Sequence, residues 1–209
     1  MAASGTGSHF FTATNTTTAP ITGTVTVTPT YTNNGVSCTG TPDNFVITVT
    51  PMPTVNAIAS QAWCVGSTTT AVAPTGNIPG TLYTWSNNNT STGLGAGGTG
   101  TIAAFTGLNT NNAPNVSTVN VVPSYTFNNV TCTGTAGQFG ITINPTPNVD
   151  PVIDQQVCAQ YNAAVQFTSS PNIVGTVYNW TNNNTAIGLA AAGTGALSFN
   201  ATNTTSAPI

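Results

Sequence analysis

The chain has 209 residues with no Lys or Arg, a single His, three carboxylates (Asp43, Asp150 and Asp154) and 39% hydrophobic content. Without Lys or Arg it has no grip on phosphate, which excludes nucleic-acid binding and attraction to anionic lipid head groups. Thr, Asn, Gly or Pro interrupts every apolar run, so none is long enough to cross a bilayer.

In chain order, the first signal is Thr24-Val25-Thr26-Val27-Thr28, whose strict alternation predicts a half-buried strand. Phe45-Val46-Ile47-Thr48-Val49 predicts a second, and Pro51-Met52-Pro53 then removes ladder donors and suits a stiff, extended linker. Leu82-Tyr83-Thr84-Trp85 predicts a strand with Tyr83 and Trp85 on one face, followed by a turn at Asn87-Asn88-Asn89. Phe139-Gly140-Ile141-Thr142-Ile143 repeats the strand at Phe45, and Pro145-Thr146-Pro147 forms a second linker. Val177-Tyr178-Asn179-Trp180 followed by Asn182-Asn183-Asn184 repeats the strand and turn at Tyr83. No stretch has helical periodicity.

These echoes have a fixed period. Cys38 matches Cys132 and Cys64 matches Cys158, each 94 positions apart, while Trp85 matches Trp180 at 95. A long fixed period marks an array of modules. The linkers divide the chain into residues 1–52, the second part of one repeat; 53–146, a complete repeat; and 147–209, the first part of a third. Several short strands per repeat, bounded by Gly, Asn and Pro clusters, predict an all-β fold of tandem immunoglobulin-like β-sandwich repeats of about 94 residues. Met1 lies inside a repeat, opposite Leu189, so the absence of a basic and apolar leader does not argue for a cytosolic protein.

The complete repeat holds one cysteine of each class, and the simplest arithmetic pairs Cys64 with Cys132. Cys38 and Cys158 then find partners outside this stretch. Such a bridge would stabilise the repeat by about 4 kcal/mol in the chain-entropy picture and implies an oxidising, extracytoplasmic location. The rival pairings are Cys38–Cys64 and Cys132–Cys158, which would staple neighbours across a linker, and free thiols. No Cys-x-x-Cys pair and no recurring His point to zinc.

The stretches TLYTWSNNNTSTGLGAGGTGTIAAF, VTCTGTAGQFGITINPTP and VITVTPMPTVNAIASQAWCVGSTTT resemble the PKD-like repeats of very large Bacteroidota cell-surface proteins. The resemblance covers essentially the whole chain. It implies an Ig-like sandwich repeated many times in a secreted adhesin or filament, often exported by the type IX route, on the cell surface and without catalytic residues. Expected partners are neighbouring repeats, with surface glycans or other cells as further candidates, and no cofactor is implied.

The remaining chemistry is sparse. His9 does not recur, which argues against a shared general base. Asp150 and Asp154 follow the second linker, where calcium could rigidify a junction, but their counterparts are Asn56 and Ser60 and two carboxylates are few for that ion. Asp43 aligns with Gly137 and is expected to face water. Tyr83, Trp85, Tyr178 and Trp180 are expected to be structural core. Exposure of the indoles would instead point to a sugar-stacking platform in a carbohydrate-binding module of a secreted enzyme. Trp63 does not recur. The Asn-x-Thr/Ser matches, at Asn15, Asn88, Asn89, Asn115 and elsewhere, follow from composition. The Thr-x-Thr run of an ice-binding face is lost at Thr118–Val122. Without lysine, Lys–Asn isopeptide crosslinks are excluded. The sequence therefore predicts a structural stalk rather than an enzyme.

Overall fold

The computed structural model describes residues 5–7 and 10–208. It is a mostly-β chain with no α-helix among the described residues and several small sheets. The strands are β1 (Ile21–Val27), β2 (Thr30–Asn33), β3 (Val36–Thr39), β4 (Asp43–Val49), β5 (Gln61–Cys64), β6 (Leu82–Asn87) and β7 (Gly97–Thr99). They continue with β8 (Asn115–Phe127), β9 (Val130–Thr133), β10 (Gly137–Asn144), β11 (Asn162–Val165), β12 (Asn179–Thr181), β13 (Ala192–Thr194) and β14 (Leu197–Asn200). Every sheet is confined to one of the three segments set off by the proline pairs.

The middle segment carries a six-stranded sheet in the order β5-β10-β8-β6-β7, with β9 pairing the far end of β8. Alternation along β8 is the organising feature. Asn115, Ser117, Val119, Val121 and Pro123 are buried while the residues between them are more open, as period two requires of a strand covered on one face. Val119 and Val121 join Tyr83, Phe139, Ile141 and Ile143 from the neighbouring strands in one core. The cover comes from two extended segments bridged at Thr68–Thr106 and Val72–Ile102, which bring Ile102, Phe105 and Val72 onto that face. At about 25 cal/mol per Å² of apolar surface removed from water, each fully buried side chain here, such as Val119, Val121, Ile141 and Ile143, contributes roughly 1.5–3 kcal/mol.

The Asn-rich turn after β6 is held by side chains. Asn87 donates through Nδ2 to the carbonyls of Asn89 and Leu94, both at 3.0 Å. Asn89 caps a 3₁₀ turn over Thr90–Thr92, and Gly93 closes it at φ 100°. In the third segment Asn182, Asn184 and Gly188 repeat the arrangement around Thr185–Ile187. Composition thus becomes structure here, because an Asn amide can replace the backbone groups that a tight turn leaves unpaired.

The outer segments reproduce halves of the middle one in the same register. Val25 opposes Phe45 and Gly23 opposes Ile47 on β1 and β4, as Val119 opposes Phe139 and Ser117 opposes Ile141 on β8 and β10. Trp180 opposes Gly193 on β12 and β13, as Trp85 opposes Gly98 on β6 and β7. The segment before Pro51 therefore has the β8-β9-β10 half, and the segment after Pro147 has the half built on β6 and β7.

Candidate functional site

The features with functional content are the two ends of the middle module and the inner faces of the outer segments. The entry end lies where Pro51 and Pro53 are buried. There Asn77 Oδ1 accepts from the Thr54 N–H at 2.8 Å, and Asn77 Nδ2 donates to the Met52 carbonyl at 3.2 Å. Gly134 packs so closely on the Pro53 carbonyl that a Cβ has no room, and its N–H donates to Pro123 at 2.9 Å. The β8–β9 hairpin, turning at Asn128 and Asn129 with positive φ, belongs to this end.

The exit end is at the other end of the strands. Cys64 lies beside Asn144 in the parallel β5–β10 pair, and the Val65 N–H donates to the Asn144 carbonyl at 2.9 Å. Asn109 Nδ2 donates to Ile143 O at 2.7 Å. The neighbouring Asn112 Nδ2 reaches Asn172 O at 3.2 Å in the third segment. By the repeat, Asn172 is the counterpart of Asn77, an entry-end residue, so an exit end meets an entry end across the second linker.

This layout corrects the expected disulfide. All four cysteines are free. Cys64 sits by Asn144, next to the Ile143–Asn115 pair, whereas Cys132 opposes Tyr125. Asn115 and Tyr125 are ten residues apart on β8, or roughly 30 Å at about 3.3 Å per residue. A disulfide requires Cα atoms within about 7 Å. The two cysteine classes mark opposite ends of a module, so Cys38–Cys64 and Cys132–Cys158 also join ends that face away from each other. Sequence arithmetic counted one cysteine of each class per repeat, and it had no means of seeing that strand direction separates them.

Tyr83 is buried in the core, and desolvation raises its phenol pKa above the usual value, a shift opposed by the side-chain hydrogen bond with Thr81. Trp85 is half-buried against that core, with its ring flat on β7; a Cβ at Gly98 would lie 2.8 Å from it. Its indole N–H is shielded from water without a hydrogen-bond partner, and the same holds for Trp180. Trp180 packs likewise on Gly193, and Tyr178 is half-buried beside Phe167 with ring centroids 5.9 Å apart. Trp63 donates to Gln61 Oε1 at 3.1 Å and packs on the core, a local role that its failure to recur did not reveal.

Asp150 Oδ2 accepts from Thr168 Oγ1 at 2.7 Å and Ser170 Oγ at 3.2 Å. It lines an open cleft of the third segment with Phe167 and Tyr178. Among the described residues no three His, Cys, Asp or Glu side chains come together as a metal site. Asp43 is exposed and Oδ1 accepts the following N–H of Asn44 at 2.9 Å. His9 and Met1 lie outside the described residues. Asn89 Nδ2 is committed to Asn115 Oδ1 and Val116 O, both at 2.9 Å, and Asn115 is itself buried, so these two sequons serve the fold. No helix among the described residues is long and apolar enough to cross a membrane.

The sequence matches no protein-family model and no curated protein.

Proposed function

We propose that this chain is a stretch of a structural stalk or filament, built by end-to-end stacking of immunoglobulin-like β-sandwich repeats in a long secreted bacterial surface adhesin. The observation that carries the reading is the polarity of the middle module. The chain enters beside Pro53, Gly134 and Pro123 and leaves at Asn144, at the other end of β10. A module whose termini emerge at opposite ends passes its neighbour on along its own axis, whereas one with adjacent termini would fold the array back on itself. Stiff proline linkers hold that direction. A net charge of only −3 leaves little repulsion between successive units.

The role follows as spacing. Each module extends the array by the length of its strands and presents Thr, Asn, Ser and Gly to water. The extracellular setting and the adhesin context rest on the PKD-like resemblance of the repeats. A carbohydrate-binding module gains no support from the indoles, since Trp85 and Trp180 lie against glycine backbone with their N–H groups shielded.

Small-angle scattering from the full chain tests the reading. A stalk gives a rod-like profile whose maximum dimension grows in proportion when further repeats are appended. A profile in which the segments tumble as independent or mutually folded globules contradicts it.

A further inference from the structure

The complete module holds no charged side chain, since the three carboxylates fall before Pro51 or after Pro147 and there is no Lys or Arg. That matters at the edges of its sheet, because edge strands are ordinarily guarded by charges, Pro or covering loops. One edge is β5, where the Cys64 carbonyl accepts the Ser67 N–H at 3.1 Å and Gln61 Nε2 donates to Thr70 O at 3.2 Å, which ties that edge to the loop after it. The other is β7, whose three residues are exposed and which pairs with β6 alone. Its flanks are Gly95, Ala96, Gly100 and Thr101, with neither charge nor Pro.

The register fixes which backbone groups of β7 are free. Gly100 N–H donates to Tyr83 O at 2.7 Å and Asn87 N–H to Ala96 O at 2.8 Å, while Trp85 lies opposite Gly98. Bonded and non-bonded pairs alternate along an antiparallel ladder, so Ala96, Gly98 and Gly100 turn their groups to β6. Gly97 and Thr99 turn theirs outward, and among the described residues these have no partner. The glycines keep the edge flat, and Trp85 requires both. A Cβ at Gly97 would lie 2.6 Å from the Trp85 carbonyl, and one at Gly98 2.8 Å from its ring. The arrangement recurs on β13. There Asn182 N–H donates to Ala191 O at 2.7 Å and Gly195 N–H to Tyr178 O at 2.8 Å, which turns Ala192 and Thr194 outward.

We propose that the β7 edge pairs with the same edge of a second copy of this chain, joining arrays side by side. The edge is self-complementary. About a twofold axis at Gly98, Gly97 of one strand opposes Thr99 of the other, and each such pair exchanges two N–H···O=C bonds. Gly98 then meets Gly98 of the second copy in the closely spaced, non-bonded position, where neither residue has a side chain to crowd the other. A second copy also suits the edge electrostatically, because its own edge is uncharged and no ion is buried in the contact. A single edge of three residues is a weak contact. An array offers such an edge in each repeat, and linked weak contacts add in effect. The inference goes beyond the stalk role and uses only the geometry of the repeat.

The test is amide exchange by NMR together with sedimentation velocity, on the full chain over the widest concentration range its solubility allows. Self-association is expected to rise reversibly with concentration. The Gly97 and Thr99 amides are expected to exchange freely when dilute and to become protected as copies associate, while Gly98 and Gly100 are protected throughout. Thr99→Pro combined with Thr194→Pro removes two outward N–H groups and leaves the ladders to β6 and β12 intact. That variant is expected to stay monomeric, with an unchanged urea midpoint showing that the middle module is folded. Thr99→Val combined with Thr194→Val keeps the backbone groups and is expected to associate as the wild type does. The exchange measurement on the wild type decides the matter even where the proline variant unfolds. A wild type that stays monomeric, or association during which the Thr99 amide stays open because another surface holds the copies, overturns the proposal. So does a folded proline variant that associates like the wild type, or a valine variant that does not.

Discussion

The pairing of equivalent positions supplies an internal control for the energetics. Ile141 and Ile47 occupy the same place in the repeat and the same register, but Ile141 is 2% exposed and Ile47 only half-buried. Truncating a buried Ile to Ala costs about 2–5 kcal/mol, the transfer free energy of the lost carbons plus the cavity they leave. Ile141 packs within a core closed by Phe139, Ile143 and Val119. Ile143 and Val119 are held by ladders on both sides and have little room to collapse, so Ile141→Ala is expected to cost about 3 kcal/mol. For a domain of this size that corresponds to a melting shift of about 12–24 °C. Ile47→Ala is expected to change the melt of the middle module by less than about 0.5 kcal/mol, because no sheet crosses the linker. The assay is urea unfolding followed by tryptophan fluorescence in a Trp180→Phe background, so that Trp63 and Trp85 report the middle module. Equal effects of the two substitutions, or a loss below about 1 kcal/mol at Ile141, would refute the assignment of the core to the middle segment.

Three further outcomes are expected. Gly98→Ala pushes a methyl into the Trp85 ring and is expected to cost about 1–3 kcal/mol, visible as a lower urea midpoint with altered indole emission. The Tyr83 phenol has its folded pKa raised above 10.0 by burial, so its contribution is complete below pH 10 and is lost as pH rises through the folded value. Stability should therefore fall on the alkaline side in the wild type and fall less in Tyr83→Phe, measured as urea midpoint against pH. Alkylation of the native chain, after reductant is removed, should modify all four cysteines, and a recovered Cys64–Cys132 crosslinked peptide would contradict the strand directions described here.

Local pattern carried a good part of the fold. Alternation at Thr24–Thr28 and Phe139–Ile143 falls on β1 and β10, and the Tyr83–Trp85 face points inward, because period two is a property of neighbouring residues. The Asn clusters after Trp85 and Trp180 are turns for the reason their composition suggests. Pairing between distant segments was not legible in the same way. Nothing in Gln61–Cys64 announces a parallel partner eighty residues on, and that partner decides which end of the module Cys64 occupies. The disulfide expectation failed at this point. The repeat showed which residues are equivalent, while only the sheet showed that the two cysteine classes face opposite ways. The exposure of Val27 and Phe45 followed from the same gap, since their alternation reads as a buried face whether or not a cover is present.

The polarity of the module is the centre of this account, and the native cysteines can measure it. Spin labels on Cys64 and Cys132, in a Cys38→Ser and Cys158→Ser background, report the separation of entry and exit ends by pulsed dipolar spectroscopy. Cysteines at opposite ends give a distribution centred at roughly 30 Å, set by ten residues of β8 at about 3.3 Å each. A distribution centred below about 15 Å would put both cysteines at one end, well short of a strand of that length, and would contradict axial stacking.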